Sequence, residues 1–304
     1  MDKIESSNRI DISVIIPTRN RRLFLSEAIE SVIKQKSVNI ELIIVDDAST
    51  DDTEEYVKLL KSKTNVKYIK NEKSLFAHES RRLGYEISTG MYIVFMDDDD
   101  FYIDFDFLYN AKIIFEEHKN VSLVIGSTIM FEKGRYSKEV DLQGSGLLNQ
   151  KLYLNEFSKH FSKPLSTLTA VLRKENLDNL NMRNSKMVND TCIYLNGIIG
   201  GDVFLINRSV AAYRVHENNI SKKKFNQSFM NNCLNEKKRL YDIALKNNLL
   251  IDSKNWFYFQ IRQSAYYFIV SSGYDAKTCI YILTWILRYG NGIRLKFVKE
   301  ILHR

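Results

Sequence analysis

The chain has 304 residues, 44% hydrophobic and 27% charged, with a formal net charge of +7. That length suffices for one sizeable core with a second, smaller unit attached, and the composition is that of an ordinary globular protein. Two prolines and twelve glycines exclude a Pro- or Gly-rich linker between large domains.

In chain order, the apolar run Ile12 to Ile16, ended by Pro17, predicts a buried strand. Leu25, Ala28, Ile29, Val32 and Ile33 then recur at helical spacing. Leu42 to Val45 predicts a second buried strand, ended by Asp46-Asp47. Ser49 to Asp52 offers caps for a helix carrying Tyr56, Leu59 and Leu60. A weaker strand follows at Val66 to Ile69, then a helix from Ala77 to Ile87 that stops near Gly90. Tyr92 to Met96 predicts a fourth strand, which runs into four aspartates. A helix from Phe107 to His118 and a strand from Val121 to Ile125 complete this alternation. Single helices between strands imply right-handed crossovers and a mostly parallel central sheet, an α/β fold. The region from 127 to about 221 is less regular and is expected to shape an acceptor site. From Phe225 the pattern is helical, with Leu234, Lys238, Tyr241 and Leu245 on one predicted face. Trp256, Phe259, Gln263, Tyr267 and Val270 have similar spacing in the next segment.

Parallel sheets bind ligands at the carboxyl ends of their strands. Here the polar punctuation falls at those ends: Pro17-Thr18-Arg19-Asn20, Asp46-Asp47 and Asp97 to Asp100. Four adjacent carboxylates repel one another when partly buried, and a hard divalent cation, Mg²⁺ or Mn²⁺, relieves that repulsion. On an extended segment Asp97 and Asp99 point the same way. Arg19, Arg21 and Arg22 follow the first strand, and Arg81 and Arg82 lie on the helix before the fourth. Their planar forks suit phosphate oxygens. No GxGxxG or GxxxxGK[ST] loop is present.

SVIIPTRNR (13 to 21), ELIIVDDASTDDT (41 to 53), SRRLGYEISTG (80 to 90) running into MYIVFMDDDD (91 to 100), and YRVHENNIS (213 to 221) resemble, in order and separation, the family 2 glycosyltransferases of the GT-A fold. The resemblance implies a GT-A domain over 1–222, with a donor half to about 126 and an acceptor half beyond it, followed by a helical subdomain over 223–304. It implies that Pro17, Thr18 and Arg19 line the nucleotide pocket, that Asp47 contacts the base, and that Arg81 or Arg82 lies near the nucleotide or diphosphate. Asp97 and Asp99 match the family's DxD element. The run of four leaves the register open, with Asp97 and Asp98 assigned to the nucleotide and Asp99, Asp100 and His216 to the metal. The general base of the family matches Asp190, in KMVNDTCIYL, where Asn189 replaces the glutamate often found before it. Alternatively, Asp190 only caps the helix that follows.

The implied activity is an inverting, metal-dependent transfer from a nucleotide-sugar, a UDP-sugar, to a glycan or lipid-linked acceptor in surface-polysaccharide synthesis. Two other readings are a sugar-nucleotide pyrophosphorylase, whose glycine-rich signature is missing, and a non-catalytic carbohydrate- or nucleic-acid-binding protein. Nucleic acid is not expected as a partner, and the oligomeric state is left open. From Lys222 onward fifteen Lys and Arg stand against five Asp and Glu. Trp285, Phe297 and Leu302 among Arg288, Arg294, Lys296 and Lys299 then predict an interfacial helix on anionic lipid, or a packed helical cap. Three scattered cysteines with no CxxC pair, a polar N-terminus and the lack of a bilayer-length apolar run predict a cytoplasmic protein, peripheral at the inner face of the membrane.

Overall fold

The computed structural model describes residues 9–61, 65–185, 189–217, 227–290, 292–294 and 297. The chain divides into two compact units, Met1–Val215 and His216–Arg304, against an expected boundary near 222 that lies outside the described residues.

The first unit begins with the predicted alternation: β1 (Ile12–Thr18), α1 (Arg22–Ile33), β2 (Ile40–Asp46), α2 (Thr53–Lys61), β3 (Val66–Lys70), α3 (Phe76–Glu86) and β4 (Tyr92–Phe95). Next come β5 (Phe101–Tyr102), α4 (Phe107–Glu117), β6 (Val121–Glu132), β7 (Arg135–Glu139), β8 (Gly146–Leu148) and α5 (Gln150–Glu156). The unit ends with β9 (Ala170–Arg173), α6 (Lys174–Asn179), α7 (Asp190–Gly200) and β10 (Asp202–Val215). All seven residues of β1 and all four of β4 are buried, as expected of strands covered on both faces by helices.

The sheet runs β3-β2-β1-β4-β9-β6-β10-β5, with β7 on β6 and β8 on β10. Its first four strands are parallel. Beyond them it is mixed: the short β9 enters antiparallel between β4 and β6, and the parallel pair β6/β10 carries antiparallel edges. The irregular stretch after residue 127 therefore holds strands. It lacked a helix-strand rhythm because its connections are hairpins and insertions.

Two details of β1 shape the functional edge. Pairing with β2 continues to Thr18↔Asp46, whereas pairing with β4 stops at Ile15↔Phe95. Pro17, which has no N–H to donate, stands just past that stop, so it costs no ladder bond on the β4 side. A crevice therefore starts between the ends of β1 and β4. On the other layer, a Cβ added at Gly84 of α3 would lie 2.4 Å from Ile15 Cγ2. Only glycine lets α3 lie this close to β1, and Arg81, one turn earlier, reaches the strand ends.

The second unit contains α8 (Gln227–Lys246), α9 (Ser253–Ser271) and α10 (Ala276–Tyr289). The expected helices are present, and packing decides which side of each is buried. The buried stripe of α8 is Met230, Cys233, Leu234, Lys237, Leu240 and Ala244, while Leu245 is exposed. In α9, Tyr267 and Val270 are exposed and Phe257, Ile261, Ala265 and Phe268 form the core side. Trp285 and Phe297 are buried too, so they are core residues and do not form a membrane face. Lys296, Lys299 and Leu302 lie outside the described residues. Among the described residues, no helix is long and apolar enough to cross a membrane.

At the edge opposite the crevice, Glu41 of β2 is buried, with 1% of its surface exposed. It accepts hydrogen bonds from Ser13 Oγ (2.5 Å), Thr89 N (2.6 Å) and Thr89 Oγ1 (3.0 Å), and pairs with Lys67 Nζ at 2.6 Å. Burial opposes its charge, but Lys67, Ser13 and Thr89 outweigh that and hold its pKa below the usual 4.5. A folded pKa below the unfolded one gives stability that is present above the unfolded value and lost as pH falls through the folded one. Glu41→Gln should therefore destabilise the protein by about 2 kcal/mol at pH 7. The gap from wild type should close as pH falls below the usual glutamate value and through the lowered folded one, as chemical denaturation at stepped pH would show.

Candidate active site

Three loops meet where β1, β2 and β4 end. Asn20 N donates to Ser49 Oγ at 2.9 Å and Thr50 N donates to Asn20 Oδ1 at 2.7 Å, tying the loop after β1 to the loop after β2. Asp47 N donates to Thr18 O at 2.8 Å. Thr18 Oγ1 in turn donates to Asp98 Oδ2 at 2.8 Å, joining both loops to the acidic run after β4.

Within that run the four aspartates separate by partner. Asp98 faces Thr18 and Arg21, whose Nη1 lies 3.0 Å from Asp98 Oδ1 and 2.8 Å from Asp99 Oδ2. Asp97 accepts from Arg81 Nη2 at 2.5 Å. Asp100 is 1% exposed; its Oδ1 accepts from Arg214 N at 2.9 Å, and its Oδ2 has no hydrogen-bond partner among the described residues. Asp97, Asp99 and Asp100 each direct one carboxylate oxygen so that these atoms lie within 4.8 Å of one another. Asp97, assigned to the nucleotide from sequence, thus converges with the two residues assigned to metal.

Burial, reinforced by Asp99, pushes the Asp98 carboxyl up to about 7 against the opposing pull of Arg21. Burial, then Asp99 and Asp97, raises Asp100 well above the carboxylate range. Ser166 favours the charged form of Asp100 from nearby, but its hydroxyl closes no hydrogen bond. A buried acid with one orphaned oxygen, beside two carboxylates aimed at the same point, is a donor set suited to a hard divalent cation.

Arg81 links the acidic run to the start of α7. Its side chain is 7% exposed, and Nη2 also lies 3.8 Å from Asp190 Oδ1. Burial works against its charge, and Asp97 and Asp190 more than offset that, so its pKa is raised. Asp190 is the first residue of α7, but Asn189 is the cap: its Oδ1 accepts from Cys192 N at 3.0 Å. The replacement at 189 therefore takes over the capping and leaves the Asp190 carboxylate turned to Arg81.

Other expected residues have different placements. Pro17 is buried in β1, and Arg19 is exposed on the loop after it. Arg82 faces away from the aspartates, with Nε on Glu79 at 2.7 Å and Nη1 on Glu86, all on α3. Asp47 accepts four hydrogen bonds from the segment that starts α3: Asn71 Nδ2 (3.0 Å), Ser74 Oγ (2.6 Å), Leu75 N (2.6 Å) and Phe76 N (3.0 Å). His216 is the first residue of the second unit, directly after β10.

Two arginines escaped assignment. Arg21 stood in the quoted motif beside Arg19 with nothing in the sequence to rank them. Arg214 donates through Nε to Asp99 O at 2.8 Å and through Nη2 to Glu27. Its guanidinium lies 5.0 to 5.3 Å from the ring centres of Phe24, Phe101 and Phe131. Only its place two residues before His216 hinted at a role.

Residues 13–176 match the sequence profile described as Glycosyl transferase family 2. The minor teichoic acid biosynthesis protein GgaB of Bacillus subtilis is 31% identical over 258 residues, covering 80% of this chain and 28% of that protein. An Escherichia coli protein, UDP-Glc:alpha-D-GlcNAc-diphosphoundecaprenol beta-1,3-glucosyltransferase WfaP, is 27% identical over 220 residues, covering 71% of this chain and 82% of its own. Among solved structures, S. aureus TarS 1–349 in complex with UDP-GlcNAc superposes with a TM-score of 0.61 at 13% identity, covering 94% of this chain and 89% of that one. The chain spans between 28% and 33% of the length of several curated relatives it matches. With the profile matched over more than half its length and a GT-A-like structure as neighbour, the chain belongs to glycosyl transferase family 2.

Proposed function

We propose that this chain transfers a sugar from a UDP-sugar to a hydroxyl of a glycan or lipid-linked acceptor, inverting the anomeric centre in a single displacement. The observation that carries the reading is the convergence of Asp97, Asp99 and Asp100 at the crevice edge, with Asp190 one arginine away. The family and the superposition on a UDP-GlcNAc complex support a nucleotide-sugar donor. The printed activity of WfaP, on a diphosphoundecaprenol glycan, supports the acceptor class.

In this reading Asp97, Asp99 and Asp100 hold a divalent cation, Mn²⁺ or Mg²⁺, which when bound neutralises charge on the nucleoside diphosphate as it departs. His216 joins that set by residue type and motif. Asp190 accepts the proton of the acceptor hydroxyl as its oxygen attacks the anomeric carbon. The new C–O bond forms as the bond to the diphosphate oxygen breaks, so one displacement inverts the centre. Arg81 keeps the Asp190 carboxylate oriented beside the donor carboxylates, and Asp98, tied to Thr18 and Arg21, holds the two loops in register. Pro17, Thr18 and Arg19 border the nucleotide, and Asp47 serves it through the loop it clamps. The excess of basic residues after Lys222 agrees with work at an anionic lipid surface.

Asp190→Asn should lower turnover on the accepted donor by about a hundredfold or more, measured as UDP release with acceptor present. UDP affinity by calorimetry should change less than about threefold, because the lost group acts on the acceptor proton. Full transfer by the variant would remove Asp190 as base. Asp100→Asn should raise the melting temperature of the metal-free protein, since it deletes a buried charge that burial and two neighbours disfavour. The same variant should lose the rise in melting temperature that Mn²⁺ gives the wild type. A retained Mn²⁺ response would place the cation elsewhere.

A further inference from the structure

The acidic run stands where a hydrogen-bond ladder is due to continue. β5 pairs antiparallel with β10 through Tyr102↔Ala211 and Phe101↔Ala212, and Ile103 N donates to Val210 O just beyond them. In an antiparallel ladder the bonded pairs recur at every second residue. Two residues past Phe101↔Ala212, the same register sets Asp99 opposite Arg214, where Arg214 N is due to donate to Asp99 O.

That bond is replaced. Asp99 O accepts from the side chain of Arg214, through Nε at 2.8 Å, and the N–H so released donates to Asp100 Oδ1 at 2.9 Å. Arg214 thus holds the main chain of the run with its side chain, and a carboxylate of the run with its main chain. β5 begins only at Phe101, Asp100 N turns back to Asp97 O at 3.4 Å, and Asp100 converges with Asp97 and Asp99. Backbone pairing does not require the exchange, because the ordinary ladder bond satisfies Arg214 N and Asp99 O equally well. It would, however, take the donor away from Asp100 Oδ1.

The guanidinium is aimed by its surroundings. Its side chain is 13% exposed and lies among Phe24 of α1, Phe101 of β5 and Phe131 of β6, with Nη2 bonded to Glu27 on α1. Rings from three elements and a carboxylate fix the plane of the fork, and with it the direction of Nε. Arg21 and Arg81 bond carboxylate oxygens of the run, whereas Nε of Arg214 bonds a main-chain carbonyl.

We propose that Arg214 is a positioning residue of the cation site: by donating from Nε to Asp99 O it diverts its own N–H to Asp100 and turns that carboxylate toward Asp97 and Asp99. The inference rests on the cation reading above and adds the residue that shapes the site.

Two substitutions separate the bond from the charge. Lysine keeps the charge but has a carbon where Arg214 has Nε; glutamine has an amide nitrogen at that place and no charge. Calorimetry on the full chain with Mn²⁺, alone and with UDP present, should show Mn²⁺ binding weakened about tenfold or more in Arg214→Lys. Arg214→Gln should stay within about threefold of wild type, because it keeps the donor. Both variants should melt within a few degrees of wild type, since the ladder bond can close when the side-chain bond is lost. Wild-type Mn²⁺ affinity in Arg214→Lys would overturn the proposal and leave Arg214 as a neutralising charge. Equal weakening in the two variants, or a collapse of the melting temperature in Arg214→Lys, would overturn it as well. A wild-type protein that binds Mn²⁺ neither alone nor with UDP would remove the cation reading itself.

Discussion

Mutual repulsion among Asp97, Asp98, Asp99 and Asp100 is the constraint around which the functional edge is built. Three of these carboxylates are almost entirely buried, and burial strengthens the repulsion by removing the solvent that would screen it. The fold answers with two guanidinium groups, Arg21 after β1 and Arg81 on α3, and with the main-chain N–H of Arg214 near the end of β10. Each requires its own element to come close. Gly84 gives α3 its approach to β1, the early end of the β1/β4 pairing opens space for Arg21, and β10 carries Arg214 between three aromatic rings. The compensation stops one atom short, at Asp100 Oδ2. The protein alone leaves the cluster under-neutralised, as a site built for an added cation should be.

Arg81 makes this electrostatic problem useful. A buried guanidinium between Asp97 and Asp190 holds a carboxylate after β4 and a carboxylate at the start of α7 in one geometry. Two acids that would otherwise repel are kept near each other by the cation between them. Asn189 contributes by taking the cap of α7, a task that in its absence would fall to Asp190. One amide in place of an acid lowers the local negative charge and frees its neighbour.

The first half of the fold was legible because β1, β2 and β4 are short, largely buried apolar runs, and each ends in polar residues. Ile12 to Ile16, Leu42 to Val45 and Tyr92 to Met96 needed no tertiary information to be placed. The antiparallel insertion of β9 could not be read, since Ala170–Arg173 is four residues long and its place between β4 and β6 is decided by long-range pairing. In the helical unit the 3.6-residue period was visible, but Lys occurs on both sides of α8 and Tyr on both sides of α9, so the buried side was fixed only by packing. The aspartate run was legible as a site, while its division of labour was not. Alternation along an extended segment pairs Asp97 with Asp99, yet Asp100 joins them and Asp98 turns to Arg21, because the chain leaves the strand there and curls.

Asp46 and Asp47 show the same limit from another side. Adjacent acids after a buried strand invite assignment to a ligand, but Asp46 accepts from Ser49 N at 2.7 Å and Tyr68 Oη at 2.6 Å, and Asp47 from four donors of its own. Burial at a strand end makes a carboxylate valuable for binding and equally valuable for holding loops, and the residue type alone does not separate the uses. What separates them is whether acceptor capacity remains once the protein's own donors are counted. By that measure Asp100 retains capacity and Asp47 has none.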